Sequence, residues 1–146
     1  GIRLACQDSK EPRVLGTMLA LGLNHGRAML VDEATGEEMW QVQAHGMNSL
    51  RTKVAMSGNG RFVASGGFFD EHWNVWESAS GELHRVGATH DGTGACICGE
   101  GHQCQPATPV VAHSAGLYTV IFSPCGQRLA TGGEAGAVIL WDAQTG

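Results

Sequence analysis

The stretch Ser123-Pro124-Cys125-Gly126-Gln127-Arg128-Leu129-Ala130-Thr131-Gly132-Gly133, followed by Val138-Ile139-Leu140-Trp141-Asp142, decides how the chain is read. A turn ending in Gly leads into a short strand that leaves on two glycines, and a second apolar run closes on Trp-Asp. Turn residues at fixed offsets between short apolar runs mark antiparallel hairpins. The same order stands upstream as Ser57-Gly58-Asn59-Gly60, then Arg61-Phe62-Val63-Ala64-Ser65-Gly66-Gly67, then Trp73-Asn74-Val75-Trp76. Earlier it is eroded: Met18-Leu19-Ala20-Leu21-Gly22 and Met29-Leu30-Val31 remain, and the region from Asp8 to Pro12 lacks the turn.

A further phrase recurs after each second run, as Asp32-Glu33-Ala34-Thr35-Gly36, Glu77-Ser78-Ala79-Ser80-Gly81 and Asp142-Ala143-Gln144-Thr145-Gly146. An acidic residue, small residues, Ser or Thr, and then Gly make a tight turn that ends a strand. Gly36 and Gly81 are 45 positions apart, and Gly81 and Gly146 are 65 apart. One four-stranded propeller blade takes roughly 40–45 residues, which leaves about 20 extra in the second interval. Composition changes between about Val86 and Pro109, so the extra residues are placed there. The reading divides the chain into a first repeat at about 1–43, a second at about 44–86, a Cys-rich insert at about 87–109 and a third repeat at about 110–146.

Bulk properties agree. Glycine contributes 22 residues without collagen spacing, so they serve turns, and many turns mean many short strands. A hydrophobic share of 42% with 16% charged residues is globular, not disordered. The net charge of -5 speaks against general nucleic-acid or anionic-membrane binding, which needs a basic face. No apolar run is long enough to span a bilayer, and the first residues carry no signal peptide. Without a starting Met, the N-terminus reads as a cut. Leu117–Phe122 and Ala137–Trp141 are almost continuously apolar or small, a pattern that calls for cover on both faces of a sheet.

These phrases, repeated in phase, closely resemble the WD-repeat (WD40) family, the third copy best: Ala112-His113, Val120-Ile121-Phe122-Ser123-Pro124, Leu129–Gly133 and Ile139-Leu140-Trp141-Asp142. The resemblance implies an all-β chain, a partial propeller of about three four-stranded antiparallel blades forming an open arc from a larger ring. It also implies a buried Trp, Ser or Thr, His, Asp chain in each blade. A buried indole N–H, hydroxyl and imidazole each need a partner, and a carboxylate fixes the imidazole tautomer. The matching residues are His45, Ser65, Asp70 and Trp76 in the second copy and His113, Thr131 and Trp141 in the third, where Ala135 takes the Asp position. In the first copy Val31 and His25 replace Trp and Asp. The second blade is therefore expected to be the most rigid and the first the loosest. A hydrolase triad of His45, Ser65 and Asp70 is disfavoured because no G-x-S-x-G elbow presents the serine.

Propellers have about 4–8 blades, so three expose two apolar blade faces unless further blades of a longer chain, or further copies, cover them. The family resemblance implies partner binding at the channel rim. There the turn Gly67-Phe68-Phe69-Asp70-Glu71-His72 carries one residue more than its third-copy counterpart and places two adjacent aromatics, typical interface anchors. Met47, Asn48 and Arg51 flank it. One of the two rings packing between blades is the competing reading. Trp40 and Trp73 are expected in the core or at blade edges.

The expected function is a non-catalytic protein-interaction scaffold in a multiprotein assembly, cytoplasmic, with cytoskeletal or nuclear settings also compatible. Its partners are other proteins and the remaining blades, with no nucleic acid and no membrane. Two alternatives stand: a zinc- or redox-sensing module acting through the insert, and the propeller region of a larger multidomain enzyme or signalling protein. No cofactor is expected, with one exception. Cys96, Cys98, His102 and Cys104 could hold one tetrahedral zinc, although their C-x-C-x3-H-x2-C spacing departs from the usual paired knuckles. Free thiols, or a disulfide joining Cys104 to Cys96 or Cys98, are the other readings. Cys6 and Cys125 are expected to be small buried or turn residues. Elemental analysis of chain purified without chelator separates these readings: one zinc per chain, lost in Cys98→Ser, marks the metal site, and zinc-free protein ends it.

Overall fold

The computed structural model describes residues 17–69, 72–88, 116–133, 136 and 138–144. Among them are ten strands: β1 (Met18–Gly22), β2 (Arg27–Asp32), β3 (Glu38–Gln43), β4 (Thr52–Met56), β5 (Phe62–Gly67), β6 (His72–Glu77), β7 (Leu83–Ala88), β8 (Leu117–Phe122), β9 (Arg128–Gly133) and β10 (Val138–Asp142). They form three antiparallel sheets in sequential order, β1-β2-β3, β4-β5-β6-β7 and β8-β9-β10. Short connections between sequence neighbours produce meanders of this kind.

The three sheets repeat one another in detail. The β2–β3 register slips between Leu30 and Val31, and the β6–β7 register slips between Val75 and Trp76, which are matching positions. Glu33, Ser78 and Ala143 donate backbone N–H groups to the carbonyls of Thr17, Arg61 and Gln127 at 2.8, 2.8 and 2.9 Å. β1, β2 and β3 therefore correspond to β5, β6 and β7, while β8, β9 and β10 correspond to β4, β5 and β6.

The recurring turns have local causes. Asp32 Oδ1 accepts the N–H groups of Ala34 and Thr35, each at 2.9 Å. The Thr35 N–H, with help from Ala34, holds the Asp32 carboxyl below the usual carboxylate range. Gly36 then takes φ 73° and Gly81, its equivalent, φ 71°, a left-handed conformation that glycine adopts without a Cβ penalty. In the other turn, Ser57 Oγ accepts from Phe62 N at 2.9 Å, and Ser123 Oγ accepts from Arg128 N at 3.1 Å.

Alternation along each strand builds two interfaces. Ala28, Leu30 and Trp40 of the first sheet meet Val63 and Trp76 of the second, with Ala44 and the half-buried Val54 and Met56. The opposite face of the second sheet, through Phe62, Ala64, Trp73 and Val75, meets Leu117, Val120, Phe122, Leu129 and Trp141 of the third. All six residues of β5 are consequently buried. β8 alternates instead: Tyr118 and Ile121 are exposed although the run is almost continuously apolar. Cover on both faces thus holds for the middle sheet, which has a neighbour on each side.

Main-chain contacts set the spacing between sheets. A Cβ at Gly22 would overlap the Thr52 carbonyl, one at Gly58 the Pro124 carbonyl, and one at Gly116 the Phe68 carbonyl. Within the second sheet, Gly87 lies opposite Trp73, and a Cβ there would overlap the indole. Trp73 is fully buried and packs against Trp141 at 5.3 Å between centroids. Gly87→Ala is expected to destabilise the chain by about 1–3 kcal/mol through overpacking, read as a lowered melting midpoint. An unchanged midpoint would show that Trp73 yields freely.

Candidate functional site

The β4–β5–β6 sheet positions a buried polar cluster beside the apolar contacts. Ser65 lies on β5 facing the first sheet, like Val63 two residues before it. Its Oγ stands 3.0 Å from His45 Nε2 and accepts the Trp76 Nε1–H at 3.0 Å. Ser65 is fully buried, and His45 and Trp76 retain only 4% and 7% exposure. An indole nitrogen only donates, so the serine hydroxyl bridges it to the imidazole. Asn74 Nδ2 reaches the Ala44 carbonyl at 2.5 Å, and Gln43 Nε2 reaches the His45 carbonyl at 2.6 Å, so the segment entering β4 is tied to the sheet. His45 also lies 5.0 Å from the His72 ring. Asp70 lies outside the described residues.

The third sheet keeps the core of this arrangement. Trp141 Nε1 donates to Thr131 Oγ1 at 2.7 Å, and Thr131 is fully buried. His113 lies outside the described residues. In the first sheet Leu21 occupies the position of Ser65 and is 40% exposed. His25, exposed and at φ 60°, sits in the β1–β2 turn, where its carbonyl accepts from Gln43 Nε2 at 2.6 Å. Trp40 anchors that sheet differently. Its Nε1 donates to the Ser78 carbonyl at 2.9 Å, and its ring lies against Gly81, the turn of the next sheet.

The serine is not disposed for nucleophilic attack. Its Oγ is sealed between an indole and an imidazole, and a triad serine must reach a substrate carbonyl. What the geometry supplies is rigidity, since buried side-chain hydrogen bonds fix the sheet that carries them.

The exposed residues gather elsewhere. At the end of the strands where β4 begins and β5 finishes, the 46–51 loop, the 68–69 turn and the start of β8 come together. Met47, Leu50, Phe69 and Tyr118 are 73%, 60%, 57% and 48% exposed there. Asn48 and Arg51 are also exposed, and Phe68 is half-buried. Phe68 meets Phe69 at 4.7 Å and Tyr118 at 5.2 Å, both edge to face. Leu50, Arg51, Phe68 and Tyr118 line an open cleft of about 330 Å³. Of the two aromatics in this turn, Phe68 packs toward the neighbouring sheet and Phe69 points outward. Leu50 and Tyr118 escaped sequence reasoning. Leu50 belongs to no motif, and Tyr118 lies within a run read as a buried strand.

Cys96, Cys98, His102 and Cys104 all lie outside the described residues, as does Cys6. Cys125, expected as a small buried or turn residue, sits in the β8–β9 turn and is in addition disulfide-bonded, with Ser123 Oγ 3.4 Å from its sulfur.

Comparison with known proteins agrees with this architecture. Residues 104–142 match the family model described as WD domain, G-beta repeat. The third sheet lies within that match. One WD repeat is matched there, and the all-β architecture of three successive antiparallel sheets is consistent with a partial WD-repeat propeller. No curated protein matches the chain.

Ser65→Ala removes the shared hydrogen-bond partner of two buried groups, His45 Nε2 and Trp76 Nε1. Urea unfolding is expected to show a loss of about 2–5 kcal/mol. An unchanged stability would mean that the two contacts to the Ser65 hydroxyl add nothing.

Proposed function

We propose that the chain is a non-catalytic scaffold segment that binds other proteins through the loop surface around Phe68, Phe69, Met47, Asn48 and Arg51. One observation carries this reading. At one end of the strands Met47, Leu50 and Phe69 on loops and Tyr118 on β8 are exposed, with Leu50, Arg51 and Tyr118 sharing one cleft around Phe68, and Phe69 packed on the Phe68 ring. Exposed aromatics grouped with arginine on a rigid support have the composition of an interface centre. WD repeats in general mediate protein interactions, which fits.

The ends of the arc take further blades in this proposal. Leu19 and Leu21, at 47% and 40% exposure, face away from the second sheet on one side. Ile121, Val138 and Leu140, at 58%, 72% and 65%, do so on the other. Each of these faces has the apolar character of those already paired inside the chain, so sheets of the same type suit them. The setting proposed for the assembly is cytoplasmic.

The test is co-purification with the full chain from cytoplasmic extract. Phe69→Ala and the Phe68→Ala/Phe69→Ala pair are expected to weaken retention of bound proteins roughly 30-fold, the effect of losing an interface hot spot. The melting midpoint of Phe69→Ala should stay unchanged, because that ring is exposed. An identical set and yield of bound proteins would overturn the assignment of this surface.

A further inference from the structure

We propose that the cleft lined by Leu50, Arg51, Phe68 and Tyr118 takes a short acidic peptide. A carboxylate pairs with Arg51, and the neighbouring bulky apolar side chain lies on the aromatic wall. This rests on the loop surface being a partner site and names the chemistry of what it binds.

Three observations carry the inference. The first is size. A cleft of about 330 Å³ stands at the low end of the range that encloses small ligands, about 300–1,000 Å³. It admits one or two side chains, not the flank of a folded domain, so the ligand is an extended segment.

The second is preorganisation. Phe68 is held through its main chain as well as its ring. Its N–H donates to Ser49 Oγ at 3.2 Å, and its carbonyl abuts Gly116, where a Cβ would overlap it. Ser49 is itself fully buried. The ring then meets Phe69 at an interplanar angle of 81° and Tyr118 at 78°. A wall fixed in this way does not lose side-chain freedom on binding, which is a principal cost of recognising a peptide.

The third is charge. Perpendicular aromatic rings alone also suit a quaternary ammonium ion. Here Arg51 lines the same cleft and makes no ion pair among the described residues. A cationic ligand meets repulsion there, whereas a carboxylate gains a charge-assisted, bidentate partner. Residues 46–53 carry Arg51 and Lys53 and no acidic side chain. In a chain of net charge -5 this loop is a local reversal of sign, the kind of feature that steers and registers a ligand.

The experiment is fluorescence polarisation on the full chain with three labelled probes: Gly-Ser-Glu-Phe-Ser-Gly, the same peptide with Gln for Glu, and the same with trimethyllysine for Glu. The Glu probe is expected to bind about tenfold or more tightly than the Gln probe, the effect of one charge-assisted pair. Arg51→Ala should bring that ratio close to one, Arg51→Lys should keep part of it, and Phe69→Ala should weaken both probes alike. Arg51 and Phe69 are exposed, so these variants leave the core untouched. Equal binding of the Glu and Gln probes, still weakened by Phe69→Ala, would overturn the acidic ligand while leaving the partner surface standing. Tightest binding by the trimethyllysine probe would overturn the sign. No binding by any probe would overturn the peptide cleft, and the co-purification result reads separately whether the surface is used at all.

Discussion

A β-sheet with two apolar faces needs cover on both, and the middle sheet of this chain meets that condition. Every residue of β5 is buried, with Val63 and Ser65 turned to one neighbour and Phe62 and Ala64 to the other. Strand alternation, which in a one-sided sheet separates core from solvent, here separates one core from another. The two clusters lie on opposite sides of a single layer of backbone. The outer sheets owe their order to this layer, and each leaves its far face exposed.

A polar group enters this apolar stack at least cost where its partner is in place, a condition that the buried Trp73 Nε1 and Thr52 Oγ1 do not meet. Among the described residues the Trp76–Ser65–His45 cluster meets it with three side chains, and Trp141–Thr131 with two. The pairs recur at matching positions of β5–β6 and β9–β10, where the register brings an indole on one strand within reach of a hydroxyl on the next. The first sheet lacks the hydroxyl, carrying Leu21 in its place, and secures its tryptophan from a different strand to a backbone carbonyl. The repeat is thus held more strictly in geometry than in composition.

Much of the fold was legible because its signals are local. An Asp, small residues and a glycine dictate the β2–β3 turn through hydrogen bonds spanning two or three residues. The Ser57 and Ser123 turns are equally self-contained. Burial was less legible, because it depends on how many neighbours a sheet has. Leu117–Phe122 reads as doubly covered and is covered on one side only. The cleft was half visible. The aromatic pair in the β5–β6 turn stands out, but Leu50 and Tyr118 reach it from segments far away in sequence, through the packing of β4 against β8. The same holds for Gly87, a plain strand glycine until the Trp73 ring is set opposite it.

The glycines at the sheet junctions have a consequence for geometry. Gly58 against Pro124 and Gly116 against Phe68 bring main chain onto main chain at the two opposite ends of the junction between the second and third sheets. Two such pivots, a strand length apart, define the dihedral angle at which one layer follows another. That angle is therefore a property of the backbone, and the side chains between the pivots fill a wedge whose opening they do not choose. Core substitutions can alter how tightly the wedge is filled without altering the curvature of the arc. A methyl group added at either pivot acts as a shim, and the curvature it changes is the quantity that determines how many such layers close a circle.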